Sequence, residues 1–231
     1  MNHQVTHDPA FAMLRVDLHP GERLVSEAGA MVAMSKHVNL EAKLTTSAAP
    51  GIGANLQALF AAVVRKYLGG ESFFVSHYTA TSPASVWLAP KVSGSIVHHP
   101  LQGQSITLSS GAFVASMGDI SVSPQYGGIR GMLAKEGVFF LRVSGKGDIF
   151  FNSFGGVDAI DVNGSYSVDN GHIVGWEGDL QYRMKSAGGG VMGMLASGEG
   201  LVCEFTGQGR IWIQSRNLSS IVSWISPLLP A

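Results

Sequence analysis

Short apolar runs separated by glycines fill this chain, and within them apolar and polar positions alternate as half-buried strands require. Leu201-Val202-Cys203-Glu204-Phe205 is one such run. In Gly147-Asp148-Ile149-Phe150-Phe151 and Gly209-Arg210-Ile211-Trp212-Ile213, β-branched and aromatic residues follow a glycine turn, a composition suited to a pleated, packed surface. Thirty glycines against nine prolines, spread evenly, predict many strands joined by tight turns. One segment departs from the pattern. Ala54 to Leu68 sets Leu56, Leu59, Phe60, Val63, Val64 and Tyr67 at helical spacing, and Gly69-Gly70 stops it. The expected fold class is all-β with this one helical insert near 54–68, lying as a lid on the sheet in preference to serving as a docking face.

The runs repeat. Val25-Ser-Glu-Ala-Gly-Ala-Met-Val-Ala-Met34, Thr107-Leu-Ser-Ser-Gly-Ala-Phe-Val-Ala-Ser116 and Ser167-Val-Asp-Asn-Gly-His-Ile-Val-Gly-Trp176 align without gaps on Gly29, Gly111 and Gly171. A glycine at one shared place predicts a positive-φ turn between two strands. A second block starting at Gly127 matches one starting at Gly189 through Ser153 and Ser215, with about ten of roughly twenty-seven positions identical. The first copy keeps this block more loosely, as Gly70-Glu71-Ser72-Phe73-Phe74-Val75. Three tandem diverged β-units follow, near 1–100, 101–161 and 162–231, inside a single domain of 1–231 because no polar linker separates them.

Composition changes the picture in one respect. Charged residues are 13% of the chain, about half of what is usual for a globular domain, so much of the surface is expected to be covered by copies of itself or by a partner. Met132, Leu133, Val191, Met192, Met194 and Leu195 lie in glycine-rich connections and are the candidate interface. A homo-oligomer is expected, a trimer in preference to a dimer because a pseudo-threefold body can share its axis with a true one. The net charge of −1 and scattered basic residues argue against nucleic acid as a partner. With no basic stretch and apolar run at the N-terminus, and no run of about 18 apolar residues, a cytoplasmic location is expected.

Chemistry is sparse. Gly-x-Ser-x-Gly and the Walker phosphate loop are absent, and Gly188–Gly193 fits Gly-x-Gly-x-x-Gly without opening a helix in a βαβ unit. His98 and His99 are adjacent, so on a strand their rings face opposite ways. Asp169 and His172 set a carboxylate and an imidazole across the Gly171 turn and are the candidate ligand pair, although a turn-stabilising hydrogen bond explains them more simply. Arg142, Arg183, Arg210 and Arg216 sit in or beside strands, where carboxylate partners are expected. Cys203, the only cysteine, excludes an intramolecular disulfide and reads as a small core residue. No cofactor and no metal is expected.

Glu27-Ala28-Gly29-Ala30-Met31, Trp87-Leu88-Ala89-Pro90, Gly111–Ser116, Gly137-Val138-Phe139-Phe140-Leu141-Arg142, Val168–Val174, Gly198-Glu199-Gly200-Leu201-Val202 and Gly209–Arg216 occur in order between Leu14 and Asn217. In these motifs the chain resembles the mitochondrial-biogenesis family named for altered inheritance of mitochondria, member 24. The resemblance implies three repeats, each like a subunit of the tryptophan RNA-binding attenuation protein, with pseudo-threefold symmetry. It implies no reaction, and the attenuation protein's RNA-contacting basic residues have no counterpart here. The expected function is that of a non-catalytic oligomeric scaffold or adaptor. The alternatives are a small-molecule or metal-binding module with a pocket between repeats near Gly171 and His172, and a membrane-surface adaptor.

Overall fold

The computed structural model describes residues 1–44, 74–125, 140–186 and 201–229. The expected helix at 54–68 and the interface candidates Met132, Leu133, Val191, Met192, Met194 and Leu195 lie outside these residues. Seven short strands come first: β1 (Asn2–Thr6), β2 (Met13–Leu18), β3 (Arg23–Glu27), β4 (Met31–Met34), β5 (Val38–Leu44), β6 (Phe74–Ala80) and β7 (Ala84–Leu88). Six long ones follow: β8 (Ile96–Ser109), β9 (Phe113–Gln125), β10 (Phe140–Asn152), β11 (Val157–Asp169), β12 (Ile173–Ser186) and β13 (Leu201–Gln214). A short helix, α1 (Leu218–Ile225), comes after the last strand. The fold is all-β, as the alternating pattern predicts.

Two antiparallel sheets hold the strands, one in the order β1-β2-β7-β4 and one in the order β11-β13-β12-β8-β10-β9-β3-β6-β5. Within β8 to β10 and within β11 to β13 the spatial order is first, third, second. The short strands keep that order in both sheets, as β2-β7-β4 and β3-β6-β5, because each of three long paths is broken midway. Pro20-Gly21 interrupts the first path and Ser82-Pro83 the third, where proline cannot donate to a ladder. Successive groups join by the same register. β12 meets β8 through Gly175↔Leu108, Trp176↔Thr107 and Glu177↔Ile106. β9 meets β3 through Ala115↔Ser26, Ser116↔Val25 and Met117↔Leu24. Aligned on Gly29, Gly111 and Gly171, these are the same three positions on each side.

The core follows the junctions. One cluster collects Leu14, Val16, Leu24, Tyr78 and Val86 together with Val114, Ala115, Met117 and Phe150 from the next group. A second collects Leu108, Phe113, Leu141 and Phe151 together with Val174 and Trp212. A third holds Val162, Trp176, Cys203, Phe205 and Ile211 together with Phe140 from the group before, with Ile160, Leu180, Tyr182, Met184 and Ile213 only partly buried around it.

The expectation for two of the turn glycines needs correction. Gly29 has φ +86, but Gly111 and Gly171 are not in the left-handed region. Each turn is closed by a backbone bond to the residue after its glycine or the next. Ala30 N–H donates to Glu27 O in the first and Ala112 N–H to Ser109 O in the second, yet only the first bends through a positive φ. Most of the described glycines with a positive φ are in mid-strand. Gly145 and Gly207, both at φ +130, cross so close to the neighbouring strand that a Cβ would lie 2.0 Å from Asp119 O and 2.1 Å from Asp179 O. Residues 100 and 161 fall inside β8 and β11, and the breaks between the strand groups lie near 95 and 156. Among the described residues the helix is α1, whose Asn217 Oδ1 accepts from the Ser219 and Ser220 N–H groups.

Candidate functional site

Asp169 and His172 flank the tight turn that sends β11 into β12. Asp169 ends its strand extended, and its Oδ1 accepts the Gly171 N–H at 2.9 Å, which closes a single 3-10 turn over Asn170–His172. The His172 Nδ1 pairs with the Gln214 carbonyl at 2.7 Å, and Gln214 Nε2 donates back to the Gly171 carbonyl at 3.0 Å. A Cβ on Gly171 would lie 1.9 Å from the Asn217 amide, so glycine is required here by close approach and not by φ. The two candidate ligands are therefore neighbours whose polar atoms serve the backbone. They tie the β11–β12 turn to the end of β13. One atom is left over: Asn170 Oδ1 is buried without a hydrogen-bond partner.

A second cluster has no local motif. His3 on β1, His98 on β8 and Asp148 on β10 converge because the strands bring residues far apart in sequence to one face. His98 Nε2 lies 2.6 Å from Asp148 Oδ1, and its ring stacks on Phe150 at 5.1 Å and 22°. The His3 ring centroid is 4.3 Å from that of His98. Burial, and then the neighbouring His98, hold the His3 imidazole below its ordinary pKa, with Asp148 acting in the opposite sense. His99, on the other face as alternation demands, meets Glu177 Oε2 at 3.0 Å and packs edge-on to Trp212. Among the described residues no group of three or more His, Cys, Asp or Glu is arranged to hold a metal ion.

Other reactive groups are spoken for. Cys203 is fully buried and its thiol is pushed up to about 11 by desolvation, which leaves it un-ionised at neutral pH. Arg210 has the expected carboxylate, Asp161, in a two-point contact at 2.7 and 3.1 Å. Arg142 instead donates to Ser105 Oγ at 3.3 Å. A shallow, open depression of about 330 Å³ lies between Arg15, Asp17, His19, Ser35 and Ser85.

The most unusual surfaces are apolar. All four residues of β4, Met-Val-Ala-Met, are exposed, Val32 by 55%. In α1 and the turn after it Leu218, Val222, Trp224, Leu228 and Leu229 are exposed, with Trp224 71% so. No residue of α1 is buried, and no charged side chain occurs from Asn217 to Ala231. No helix among the described residues is long and apolar enough to cross a membrane. The sequence reading missed both the histidine cluster, which no spacing announces, and α1, whose Asn217 cap and Leu218, Ile221, Val222 and Ile225 spacing were available.

Comparison with known proteins places the family model described as Mitochondrial biogenesis AIM24 on residues 3–216. An uncharacterized protein of Streptococcus pyogenes serotype M6 is 30% identical over 233 residues, covering 100% of this chain and 92% of its own length. A crystal structure of a Streptococcus pyogenes protein superposes with a TM-score of 0.79 at 28% identity, covering 99% of both chains.

Proposed function

The chain belongs to the Mitochondrial biogenesis AIM24 family, and from that premise we propose that it is a non-catalytic scaffold or adaptor that acts by assembling with copies of itself and with other proteins. Its body is three copies of one β-unit. The observation that carries this reading is the apolar surface of β4 and α1, which a solvated monomer would cover with charge. The chain has little charge to do so, at 13% of its residues. Native mass spectrometry of the protein drawn from its own lysate tests the reading. Assemblies above the monomer mass, alone or with a second protein, support it. A monomer that retains a small molecule overturns it in favour of a ligand-binding module.

That second reading has one observation of its own, the unpartnered Asn170 Oδ1 beside His172, which a bound donor would satisfy. A membrane-surface role draws on α1 instead. The helix and the turn after it offer Trp224 and Leu228 but no Lys or Arg, so binding would rest on apolar burial and be insensitive to lipid charge.

A further inference from the structure

β4 is exposed although its sequence counterparts in β9 and β12 are among the most buried segments in the molecule. Val32, Val114 and Val174 hold the same position after the aligned glycines. Val114 and Val174 are 1% exposed, whereas Val32 is 55% exposed. The difference has a structural cause. Val114 packs into the core of the group before its own, and Val174 does likewise. An aromatic residue follows the same path at each junction. Phe150, opposite Ala115, enters the first core, and Trp212, opposite Gly175, enters the second. The counterpart of these two is Trp87, opposite Ala33, and it is only half-buried beneath Arg15 at 5.4 Å.

The acceptor for such a junction is also vacant. By the register of the two junctions that do form, β4 would pair with the end of β11 through Ala33↔Val168, Met34↔Ser167 and Ser35↔Tyr166. Among the described residues β11 pairs only with β13 and β4 only with β7. Ser165, Tyr166 and Ser167 are exposed, Tyr166 by 44%. The core behind them has Ile160, Leu180 and Tyr182 only partly buried. One edge thus carries two apolar side chains with no core to enter, and the other borders the one core of the three that takes no valine and aromatic pair from a following group.

We propose that β4 of one copy pairs with β11 of a second copy in this register, with Val32 and Trp87 entering the third core of that neighbour. The proposal rests on the scaffold reading and names its self-contact. Each chain then has one donor edge and one acceptor edge, a head-to-tail arrangement that closes into a ring of copies.

Directly opposed strand residues are close enough for a disulfide, and the buried Cys203 takes no part. Met34→Cys and Ser167→Cys are therefore made in separate chains, mixed and mildly oxidised. A covalent dimer linking the two variants, absent when either is oxidised alone, is expected. Val32→Asp should reduce the sedimenting mass to the monomer with unchanged circular dichroism, while Val32→Ile keeps the assembly. A disulfide that forms only within a chain carrying both cysteines overturns the proposal, because the junction then closes internally. Assembly that persists in Val32→Asp without any cross-link overturns the pairing but leaves the scaffold reading standing. A wild-type monomer at micromolar concentration, shown by native mass spectrometry to associate with nothing, overturns both.

Discussion

At Gly145 and Gly207 the backbone carbonyl of the neighbouring strand occupies the space of a methyl group, and φ is +130 at both. Alanine at either position meets strain and overlap together, so a loss of about 3 kcal/mol in urea denaturation is expected. Gly111→Ala meets nothing within 4 Å and has no left-handed φ to hold, so it should change stability by less than about 0.5 kcal/mol. The glycine pattern was legible in the sequence, but its strained members were not. An aligned glycine marks a shared turn, whereas close approach between strands is set by register and twist across the sheet. Cys203 permits a second test at this scale. Its thiol is raised to about 11 in the fold by burial, so the unfolded chain ionises first as pH rises. The stabilising contribution is complete below the ordinary thiol value and is lost as pH climbs towards 11. Cys203→Ala should flatten that alkaline loss, and native Cys203 should resist alkylation at pH 8 until denaturant is added.

Among elements, α1 and β1 are held to the body in opposite ways. α1 buries none of its residues, and its anchor is the Asn217 cap. Ending the chain after Asn217 should leave the melting temperature of the body within about 2 °C of the full chain, while binding of an apolar dye falls. A large drop in melting temperature would show that the helix packs on the body. β1 is held through its ladder to β2 and through His3 against His98 and Phe150. The His3 pKa is lowered in the fold, so the unfolded chain takes up the proton first, and stability present above the ordinary imidazole value is lost as pH falls. The groups facing it are His98, Asp148 and the N-terminal ammonium. Amide exchange in residues 2–6 should therefore accelerate between pH 7.5 and pH 5.5 beyond its intrinsic change, and His3→Phe should remove the excess. Strand identity was readable from alternation because half-buried strands repeat every two residues. The histidine cluster was not, because its members lie on three strands and only the ladder brings them together.

For the whole molecule, the recurrence of glycines and apolar residues in one order was visible in the sequence. The strand order and the junction register were not, since neither depends on any local run of residues. Those junctions bear on how the body unfolds. The first core takes Val114, Ala115, Met117 and Phe150 from beyond residue 95, and the second takes Val174 and Trp212 from beyond residue 156. No group of strands closes its own core, so the proposed units should not behave as separable domains. A fragment of residues 1–95 leaves its core open where Met117 and Phe150 belong, and it should show no cooperative melt. In the intact chain, tryptophan fluorescence samples Trp176 in the third core, Trp212 in the second and the half-buried Trp87 of the first group, over a constant signal from the exposed Trp224. Far-UV circular dichroism samples every strand. If the cores are interlocked, the two signals should trace one urea transition with a common midpoint. Two separated midpoints, or a folded 1–95 fragment, would mean that the shared residues do not couple the groups and that the chain is an array of independent units.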